Sequence, residues 1–515
     1  SGYETDKPSI DLGRVSVAGV VDKDAVVKVP LAMFNRHGLI AGATGTGKTI
    51  TLQLLAENLS VAGVPVVVAD MKGDLSGLSA PAEADGPAAE RFKELGVSFE
   101  PAASPVEYLA LGGIGAGVPV RATISDFGPQ LLAKILGSND TQEQSLALLF
   151  HYADERKLPL VDLEDLRAML MFLDSDEGKA DLKGIGGVSA QTVGVLLRQI
   201  TALGDAGGEE YFGEPQFDVA DLMRIAPDGR GVISSIELPA VQDKPALFST
   251  ALMGMIAELF ENLPEAGDLD KPKLVFFFDE SHLLFNNASK AFLESVAQTV
   301  RLIRSKGVGI FFVTQNPTDI PGEVLSQLGA RVQHALRAFT PDDAKALKQT
   351  VSTYPKSEHY DLSEVLTSLG IGEAVVTVLS SKGVPTPVAH TRLLSPRSRM
   401  GVADNVKSTT DQSKLFPKYA TRVDSESAKE LLEARIAASA AAPGVTPAPA
   451  PIPDGAPPAA GTAPAPAPAP TKAPKAAKAA KPKDNAVTDF LKSSQGKQIQ
   501  NQLIRGAFGI LKSKI

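Results

Sequence analysis

Gly42-Ala43-Thr44-Gly45-Thr46-Gly47-Lys48-Thr49 is the stretch that decides the fold of this chain. A brief apolar run at residues 38–41 precedes it, and residues 48–61 follow with leucines spaced along one face of a predicted helix. A β-branched run at 64–69 then predicts a strand that is buried on both faces, as in a parallel sheet. The order of strand, glycine-rich loop, helix and strand is the context that a phosphate-binding P-loop requires.

Each residue type in this loop has a part in binding phosphate. The glycines let successive backbone N–H groups turn towards phosphate oxygens, and the helix that starts at Lys48 adds the positive end of its dipole. We expect Lys48 to contact the β- and γ-phosphates of ATP and the Thr49 hydroxyl to bind Mg²⁺. The alternative is a glycine- and threonine-rich turn without a ligand, and the flanking strand and helix argue against it. The predicted nucleotide-binding residues are Gly42, Ala43, Thr44, Gly45, Thr46, Gly47, Lys48, Thr49 and Ile50.

A second motif, KLVFFFDE at residues 273–280, points to hydrolysis in addition to phosphate binding. It is an apolar strand that ends in two carboxylates. In P-loop enzymes an acid at such a strand end holds Mg²⁺, so we predict that Asp279 binds the metal together with Thr49. Glu280 is then predicted to orient the attacking water as a general base. The alternative is that one of the two acids only caps the helical turn that follows.

A glutamine follows the next apolar strand, which is predicted at residues 309–314. If this strand lies beside the P-loop strand, the Gln315 side chain can contact the γ-phosphate or the attacking water. Asn316 is the second choice for this role. The alternative is that these polar residues only cap an ordinary loop.

Arginines are the remaining candidates for catalysis, because negative charge gathers on the transferred phosphoryl group. An arginine from a neighbouring subunit can raise the rate by about 10³–10⁵-fold. Taken singly, each arginine is better explained by a surface ion pair. The candidates are Arg301, Arg304 and Arg331, followed by Arg121 and Arg337.

Three further polar positions flank these motifs. Asp70 begins the segment DMKGD at residues 70–74 and either faces a ligand at the carboxyl edge of the sheet or stabilises a turn. The sequence does not separate these two interpretations. His37 and His282 lie beside the two phosphate motifs, but neither has a second ligand at metal-binding spacing. We therefore predict that both histidines are structural.

Composition excludes several classes of site. The 515 residues include no cysteine, so disulfides, thiolate metal sites and cysteine catalysis are excluded. The net charge of −9 is uneven: residues 471–515 contain ten Lys/Arg and two Asp/Glu, which gives them +8 and leaves −17 for residues 1–470. An acidic body argues against a broad surface that coats nucleic acid. No uncharged apolar segment reaches the 18 or so residues of a membrane span, and we expect a cytoplasmic protein.

The chain divides into seven predicted segments. The β/α alternation of an α/β core is interrupted by a run of helices and followed by an Ala/Pro-rich stretch that cannot form a packed core. The predicted segments are a short N-terminal β segment (1–34), the first part of the ATPase core (35–126), a helical insertion (127–204), the second part of the core (205–404), a helical extension (405–439), a disordered Ala/Pro/Lys-rich linker (440–484) and a basic amphipathic C-terminal helix (485–515).

Beyond the P-loop, long stretches of the chain resemble the HerA/FtsK superfamily of P-loop ATPases, and most of all the bacterial YjgR-like HerA-type group. Together the matching stretches span roughly residues 10–400. They are NRHGLI at 35–40, DMKGD at 70–74, PVRAT at 119–123, YFGEP at 211–215, and the segments 274–285, 300–317 and 329–340.

The resemblance implies a RecA-like core in which the strand ending at Asp279 lies beside the P-loop strand. It also implies a ring, with a hexamer expected, in which ATP lies between subunits. Gln315 corresponds to the family's sensor glutamine, and Arg301, Arg304 and Arg331 lie where arginines that act in trans are sought. HerA proteins carry an N-terminal β-barrel that docks them to a nuclease. Only about 34 residues precede the core here, which leaves a nuclease partner open.

Two functions follow from these features. The first is an ATP-driven ring motor that acts on DNA, and the second is an ATP-dependent assembly or switch protein with a protein or membrane partner. Both need the same P-loop, acid pair and arginine. The predicted C-terminal helix alternates apolar residues with lysines, so it is expected to dock on a protein partner, on a membrane surface or back on its own ring.

Overall fold

The computed structural model describes residues 2–267, 269–285, 290–380 and 383–441. The predicted linker beyond residue 441 and the predicted C-terminal helix at 485–515 lie outside the described residues.

Every strand named below belongs to one mixed β-sheet. The strands are β1 (Ser9–Val17), β2 (Val20–Pro30), β3 (Gly38–Ala41), β4 (Val66–Asp70), β5 (Val106–Leu111), β6 (Val118–Val120), β7 (Ile233–Glu237), β8 (Leu274–Phe278), β9 (Val308–Thr314), β10 (Ala330–Gln333), β11 (Glu373–Thr377) and β12 (Ala389–Leu393). Their order across the sheet is β2-β1-β12-β11-β10-β3-β9-β8-β4-β7-β5-β6.

The sheet has a parallel part and an antiparallel part. Neighbouring strands from β10 across to β6 run parallel. The strands β11, β12, β1 and β2 continue the sheet in antiparallel fashion, and β1 and β2 lie within the predicted N-terminal β segment. The parallel part carries the α/β core that the P-loop pattern predicts.

One implied neighbour relation is wrong. The strand that ends at Asp279, β8, is not beside the P-loop strand β3, because β9 lies between them. The chain crosses from β3 to β4 through the first helix and leaves room for two strands, which β8 and β9 later fill. The prediction that the strand before Gln315 lies beside the P-loop strand is confirmed.

The helices connect the strands and cover both faces of the sheet. They are α1 (Lys48–Val61), α2 (Pro87–Glu94), α3 (Ile124–Ile135), α4 (Asp140–Arg156), α5 (Leu163–Asp174), α6 (Asp176–Asp181), α7 (Ala190–Leu203), α8 (Glu209–Tyr211), α9 (Pro245–Asn262), α10 (His282–Phe285), α11 (Lys290–Ile303), α12 (Gly322–Leu325), α13 (Pro341–Ser352), α14 (Leu362–Ser368), α15 (Val406–Asp411), α16 (Phe416–Tyr419) and α17 (Ala428–Ala441).

The predicted run of helices between β6 and β7 is present as α3 to α8. Local sequence sets where these helices begin. The side chain of Asn139 accepts a hydrogen bond from the Gln142 N–H, and the Gln142 side chain accepts one from the Asn139 N–H. Asp162 makes the same capping box with Asp165. α3 is kinked because Gly128 adopts φ 77° and is followed by Pro129.

The α17 helix packs against α5. The carboxylate of Asp165 is buried and accepts hydrogen bonds from Ser427 Oγ at 2.6 Å and from the backbone N–H of Lys429 at 2.9 Å. Farther along α17, Arg435 donates to Asp181 at 2.9 Å and to Tyr152 at 3.1 Å. The start of α17 is therefore fixed to the helical region by polar contacts that the sequence alone does not reveal.

The core lies on both faces of the parallel strands. Along β8, Phe276 and Phe278 pack into one apolar cluster with α9 and the helical region, while Val275 and Phe277 pack into a second cluster with α1. This alternation explains the continuous apolar run of that strand, since both faces are covered. None of the described helices combines the length and the apolar content that crossing a membrane requires.

Candidate active site

The P-loop leaves the end of β3 and is tied to the strands on either side. Gly42 N–H donates to the Thr314 carbonyl of β9 at 3.2 Å, and Ala43 N–H donates to the Ala335 carbonyl beyond β10 at 2.8 Å. Gly42 has φ 155°, and a Cβ there would lie 2.5 Å from the Cβ of His334. Only glycine fits this close approach, so this residue is required by the local geometry.

The lysine of the loop folds back over it. Lys48 is buried, and its Nζ donates to the Ala43 carbonyl at 3.2 Å, which the Thr46 hydroxyl also contacts at 2.7 Å. Burial lowers the pKa of Lys48 and nearby Lys72 lowers it further, whereas Glu280 opposes both. The loop borders a cavity of ≈ 400 Å³, which is within the usual size range of small-ligand sites. The residues lining the cavity are Thr44, Gly45, Gly47, Lys48, Thr49, Ile50, Lys72, Asp74, Ile371 and Gly401.

Three carboxylates meet at the ends of β4 and β8. Oxygens of Asp70, Asp74 and Asp279 lie within 4.8 Å of one another. Asp279 is only 5% exposed, and its Oδ2 has no hydrogen-bond partner. Burial raises the pKa of Asp279 to about 7, and the adjacent Glu280 charge adds to the effect. A buried carboxylate oxygen without a donor, beside two more acids, fits the oxygen ligands that Mg²⁺ prefers.

Glu280 is held in an unusual backbone conformation. Its φ is +45°, which is a strained value for a residue with a side chain. Its Oε1 is ion-paired with Lys72 Nζ, and His282 Nδ1 lies 3.3 Å from Oε2 without making a hydrogen bond. Burial raises the pKa of Glu280, but the hydrogen bond and the charge of Lys72 outweigh it, so the pKa is below its usual value. Glu280 is therefore a carboxylate at neutral pH.

Lys72 is the functional candidate that sequence reasoning missed. It lies between Asp70 and Asp74 at the carboxyl edge of the sheet and reaches the acid of a different strand. Burial lowers the pKa of Lys72, and the hydrogen bond and charge of Glu280 more than reverse this effect. The signal was a lone lysine between two acids in DMKGD, at a strand end where ligands gather.

Gln315 lies directly beyond β9 and is exposed. The preceding Thr314 carbonyl accepts the Gly42 N–H, so the glutamine is adjacent to the start of the P-loop. The turn that follows is fixed by Asp319, which accepts hydrogen bonds from the Thr314 hydroxyl and the Asn316 N–H. The glutamine is thus carried on a fixed turn next to the start of the P-loop.

The structure separates the arginine candidates. Arg301 and Arg304 are exposed just before β9 begins, so they lie at the opposite end of that strand from Gln315. Arg331 donates to Thr353 Oγ1 at 2.6 Å and lies over the ring of Tyr354 within its own chain. None of these three is brought to its own P-loop, and their catalytic role remains a prediction.

Two other arginines have assigned contacts. Arg337 Nη2 donates to the Thr44 carbonyl at 3.4 Å and is thus the candidate arginine that lies beside its own P-loop. Arg121 is buried and donates to the Tyr419 carbonyl at 2.9 Å, which favours a structural role.

Two of the polar positions that flank the motifs, Asp70 and His37, have defined contacts. Asp70 accepts hydrogen bonds from the backbone N–H groups of Lys72, Gly73 and Leu75, at 3.1, 2.7 and 2.9 Å, which supports the turn interpretation while its side chain still borders the acid cluster. His37 is buried and accepts a hydrogen bond from the Ile310 N–H at 3.0 Å, in keeping with a structural role.

Comparison with known proteins agrees with this arrangement. The family model described as "Helicase HerA-like C-terminal" matches residues 16–514. The chain is 21% identical over 370 residues to the DNA double-strand break repair helicase HerA of Sulfolobus acidocaldarius, and 20% identical over 366 residues to that of Saccharolobus solfataricus. Each match covers 71% of this chain and 66% of the archaeal relative.

One solved structure supports the fold. The plasmid coupling protein TrwB in complex with ADP and Mg²⁺ is similar with a TM-score of 0.50 and 18% identity, over 76% of this chain and 92% of that chain. At that identity the likeness speaks for the fold, a P-loop α/β sheet with added helices. Since the family model matches nearly the whole length, this chain belongs to the helicase HerA-like C-terminal family.

Proposed function

We propose that this chain is a Mg²⁺-dependent ATPase that assembles into a ring, with six subunits expected, and uses hydrolysis to move DNA. The observation that carries the proposal is the alignment of three motifs at one edge of the sheet. The P-loop, Gln315 and the Asp279–Glu280 pair follow β3, β9 and β8, which are consecutive neighbours in the parallel part. Ligands of open α/β folds bind at this edge.

The triphosphate would lie along the P-loop. Backbone N–H groups from Gly45 to Thr49 and the start of α1 supply positive potential for its oxygens. Lys48 Nζ, which donates to the loop carbonyl of Ala43, would exchange that hydrogen bond for the β- and γ-phosphates. Arg337 is close enough to the loop to add a second positive charge.

Thr49 and Asp279 would hold Mg²⁺, and the residues present fit it. Thr49 lines the cavity, and Asp279 has an unpartnered buried oxygen in the acid cluster. When bound, the metal neutralises charge on the phosphate oxygens. A positive ion next to Asp279 would favour its charged form and so offset the raised pKa that burial causes.

Glu280 would orient the attacking water and accept its proton. It is ionised, it follows the metal-binding acid by one residue, and its strained backbone fixes the start of its side chain. Gln315 approaches the same region from β9 and would hold the water or a γ-phosphate oxygen. Lys72 neutralises part of the charge that would otherwise repel an anionic phosphate from Glu280.

The ring is proposed because two candidate arginines, Arg301 and Arg304, are far from the site of their own chain. The seven residues of β9 span roughly 20 Å, and Arg301 and Arg304 precede that strand while the site follows it. Both side chains are exposed and so can meet a neighbouring subunit. An arginine placed this way would complete the site of the next subunit in a closed ring.

DNA is proposed as the substrate because the archaeal relatives are named as DNA double-strand break repair helicases. A switch or assembly protein that does not translocate DNA would use the same ATP site. Whether DNA changes the rate of ATP turnover distinguishes the motor from the switch.

The hydrolysis step is tested by Glu280→Gln. At saturating MgATP we expect kcat to fall by about 10²–10⁴-fold, the usual contribution of a positioned general base, with ATP affinity close to wild type. The matched control is Glu323→Gln, which makes the same change on the exposed α12 and should leave kcat unchanged. Turnover of Glu280→Gln at the wild-type rate would contradict the assigned role.

A further inference from the structure

An isoleucine side chain is held in an exposed position beside the P-loop. Ile371 lies in the short turn between α14 and β11 and is 74% exposed. It lines the same cavity as Lys48 and Thr49. Most of this large apolar side chain is left in contact with water by its own chain, so it can pack against a bound ligand.

The turn is fixed by hydrogen bonds on both sides of Ile371. Gly372 N–H donates to the Thr46 carbonyl of the P-loop at 3.3 Å. Arg392 Nη1 donates to the Ile371 carbonyl at 3.1 Å, and Arg91 Nη1 donates to the Gly372 carbonyl at 3.3 Å. The position of the isoleucine is thus set relative to the phosphate loop itself.

Glycine at position 372 keeps this contact close. Gly372 has φ 74°, and a Cβ there would lie 2.6 Å from Arg91 Nη1. Gly47 of the P-loop faces it, since a Cβ on Gly47 would lie 3.5 Å from the Gly372 nitrogen. The two glycines let the turn approach the loop that is proposed to bind the phosphates.

The other polar residues of the cavity belong to the metal end. Lys72 is paired with Glu280, and Asp74 is in the acid cluster with Asp279. With the phosphates on the P-loop and the metal beside Asp279, the nucleoside must lie in the remaining part of the cavity. The remaining lining residues beyond the P-loop are Ile371 and Gly401.

We propose that Ile371 is the surface on which the nucleotide base lies, and that the site contacts the base through apolar packing. This inference rests on the proposed function, because it assigns the base of the nucleotide whose phosphates the P-loop would hold. An isoleucine beside a flat aromatic base removes apolar area of both from water. Gly401 leaves open space at its own position, since an added Cβ would meet no atom within 4 Å.

The contact predicts weak selectivity between bases. Each carbonyl of the turn already accepts a hydrogen bond within the chain: Gly370 accepts from Glu373 N–H, Ile371 from Arg392 and Gly372 from Leu393 N–H. Of the described side chains that line the cavity, Ile371 is the apolar one outside the P-loop segment, and it offers no hydrogen bond. A site without hydrogen bonds to the base discriminates poorly between purines.

Calorimetric titration of the full-length chain with Mg²⁺ and ADP, GDP or inorganic pyrophosphate tests this assignment without requiring hydrolysis. We expect Ile371→Ser to weaken ADP and GDP binding about tenfold, from the loss of apolar contact, and to leave pyrophosphate binding within about twofold. Ile371→Leu should restore ADP affinity. Wild-type ADP and GDP affinities should agree within about tenfold. Val61→Ser, at an exposed apolar position on the far end of α1, is the matched control and should change none of them.

Other outcomes would overturn the assignment. Equal weakening of ADP and pyrophosphate by Ile371→Ser would mean that the residue only supports the P-loop. Unchanged ADP affinity together with a changed oligomer mass in light scattering would place a second copy of the chain on Ile371. If the wild-type chain binds pyrophosphate and ADP with the same affinity, the base makes no contact and the inference fails while the phosphate site stands. Binding of none of the three would overturn the proposed function as well.

Discussion

At the scale of single residues, the ion pair between Lys72 and Glu280 is the contact that bears most directly on the proposed hydrolysis step. The lysine comes from the turn after β4 and the glutamate from the end of β8, so the pair also joins two neighbouring strands. Lys72 is half-exposed whereas Glu280 is nearly buried. Without the lysine, the negative charges of the adjacent acids Asp279 and Glu280 would lose a nearby positive charge. The glutamate would also lose the group that fixes its orientation.

We therefore predict that Lys72→Met lowers kcat about tenfold or more at saturating MgATP, because an interaction that positions the base is lost while the P-loop that binds the phosphates remains. Lys72→Arg should recover part of kcat, since it can still pair with Glu280. Steady-state phosphate release at pH 7 measures kcat for both variants. Lys93→Met, an exposed lysine on α2, controls for loss of a surface charge. An unchanged kcat in Lys72→Met would show that the pair has no part in turnover.

At the scale of elements, the attachment of α17 to the helical region depends on one buried carboxylate. Asp165 is 1% exposed and accepts from four donors: the N–H groups of Val161, Asp162 and Lys429 and the hydroxyl of Ser427. Two of these donors come from the start of α17 or just before it. Removing the carboxylate would leave several donors without a partner.

We predict that Asp165→Ala lowers the free energy of unfolding by about 2–4 kcal/mol, because each buried donor left unpaired costs about 1–3 kcal/mol and part of the loss is recovered by water. Urea denaturation followed by circular dichroism measures this value. Glu164→Ala, one residue earlier on the same helix, removes a largely exposed ion pair with Lys429 and should cost less than about 1 kcal/mol. Equal losses in the two variants would contradict the role given to Asp165.

The elements that the sequence predicted well are those with strong local patterns. The P-loop with its strand and helix, the apolar strand before Asp279 and the long amphipathic helices all have the predicted type, with small differences at their ends. The strands β5, β6 and β10 were missed. β6 has three residues and contains Pro119, β10 has four residues with polar ones at alternate positions, and the six-residue β5 has Glu107 within its apolar run. Their pairing with distant strands supplies the stability that local pattern does not.

Strand order and the contacts between strand ends were harder to predict from the sequence than the strands themselves. Local pattern places Asp279 after β8 and Gln315 after β9, but it does not tell which of these strands adjoins β3, and the implied answer for β8 was wrong. For the same reason the pairing of Lys72 with Glu280 and the position of Ile371 beside the P-loop were not predictable. These residues are 208 and more than 300 positions from their partners in the chain.

At the scale of the whole molecule, the proposed ring places a neighbouring subunit beside each ATP site. Arg301 and Arg304 lie at the far end of β9 from their own P-loop, so a single chain offers the site one nearby candidate arginine, Arg337, among its described contacts. A ring would supply the missing charge from the next subunit.

We predict that two inactive variants complement each other when mixed. One is Lys48→Ala, which lacks the phosphate contact, and the other is the double variant Arg301→Ala, Arg304→Ala. With random mixing about a quarter of the sites combine an intact P-loop with an intact neighbouring arginine, so ATPase activity should recover to about that fraction of wild type. A mixture of Lys48→Ala with Glu280→Gln is the control and should stay inactive, because both defects lie in the same half of the site. Failure of the first mixture to recover activity would exclude these arginines from a trans role.

The most direct test of the central claim is steady-state ATP hydrolysis by the wild-type chain at low salt, with and without single-stranded and double-stranded DNA. The account predicts Mg²⁺-dependent turnover that rises severalfold with DNA, and less so as salt increases, because phosphate contacts weaken with ionic strength. Turnover that is unaffected by either form of DNA, together with no DNA binding at low salt, would contradict the motor and favour an ATP-dependent switch.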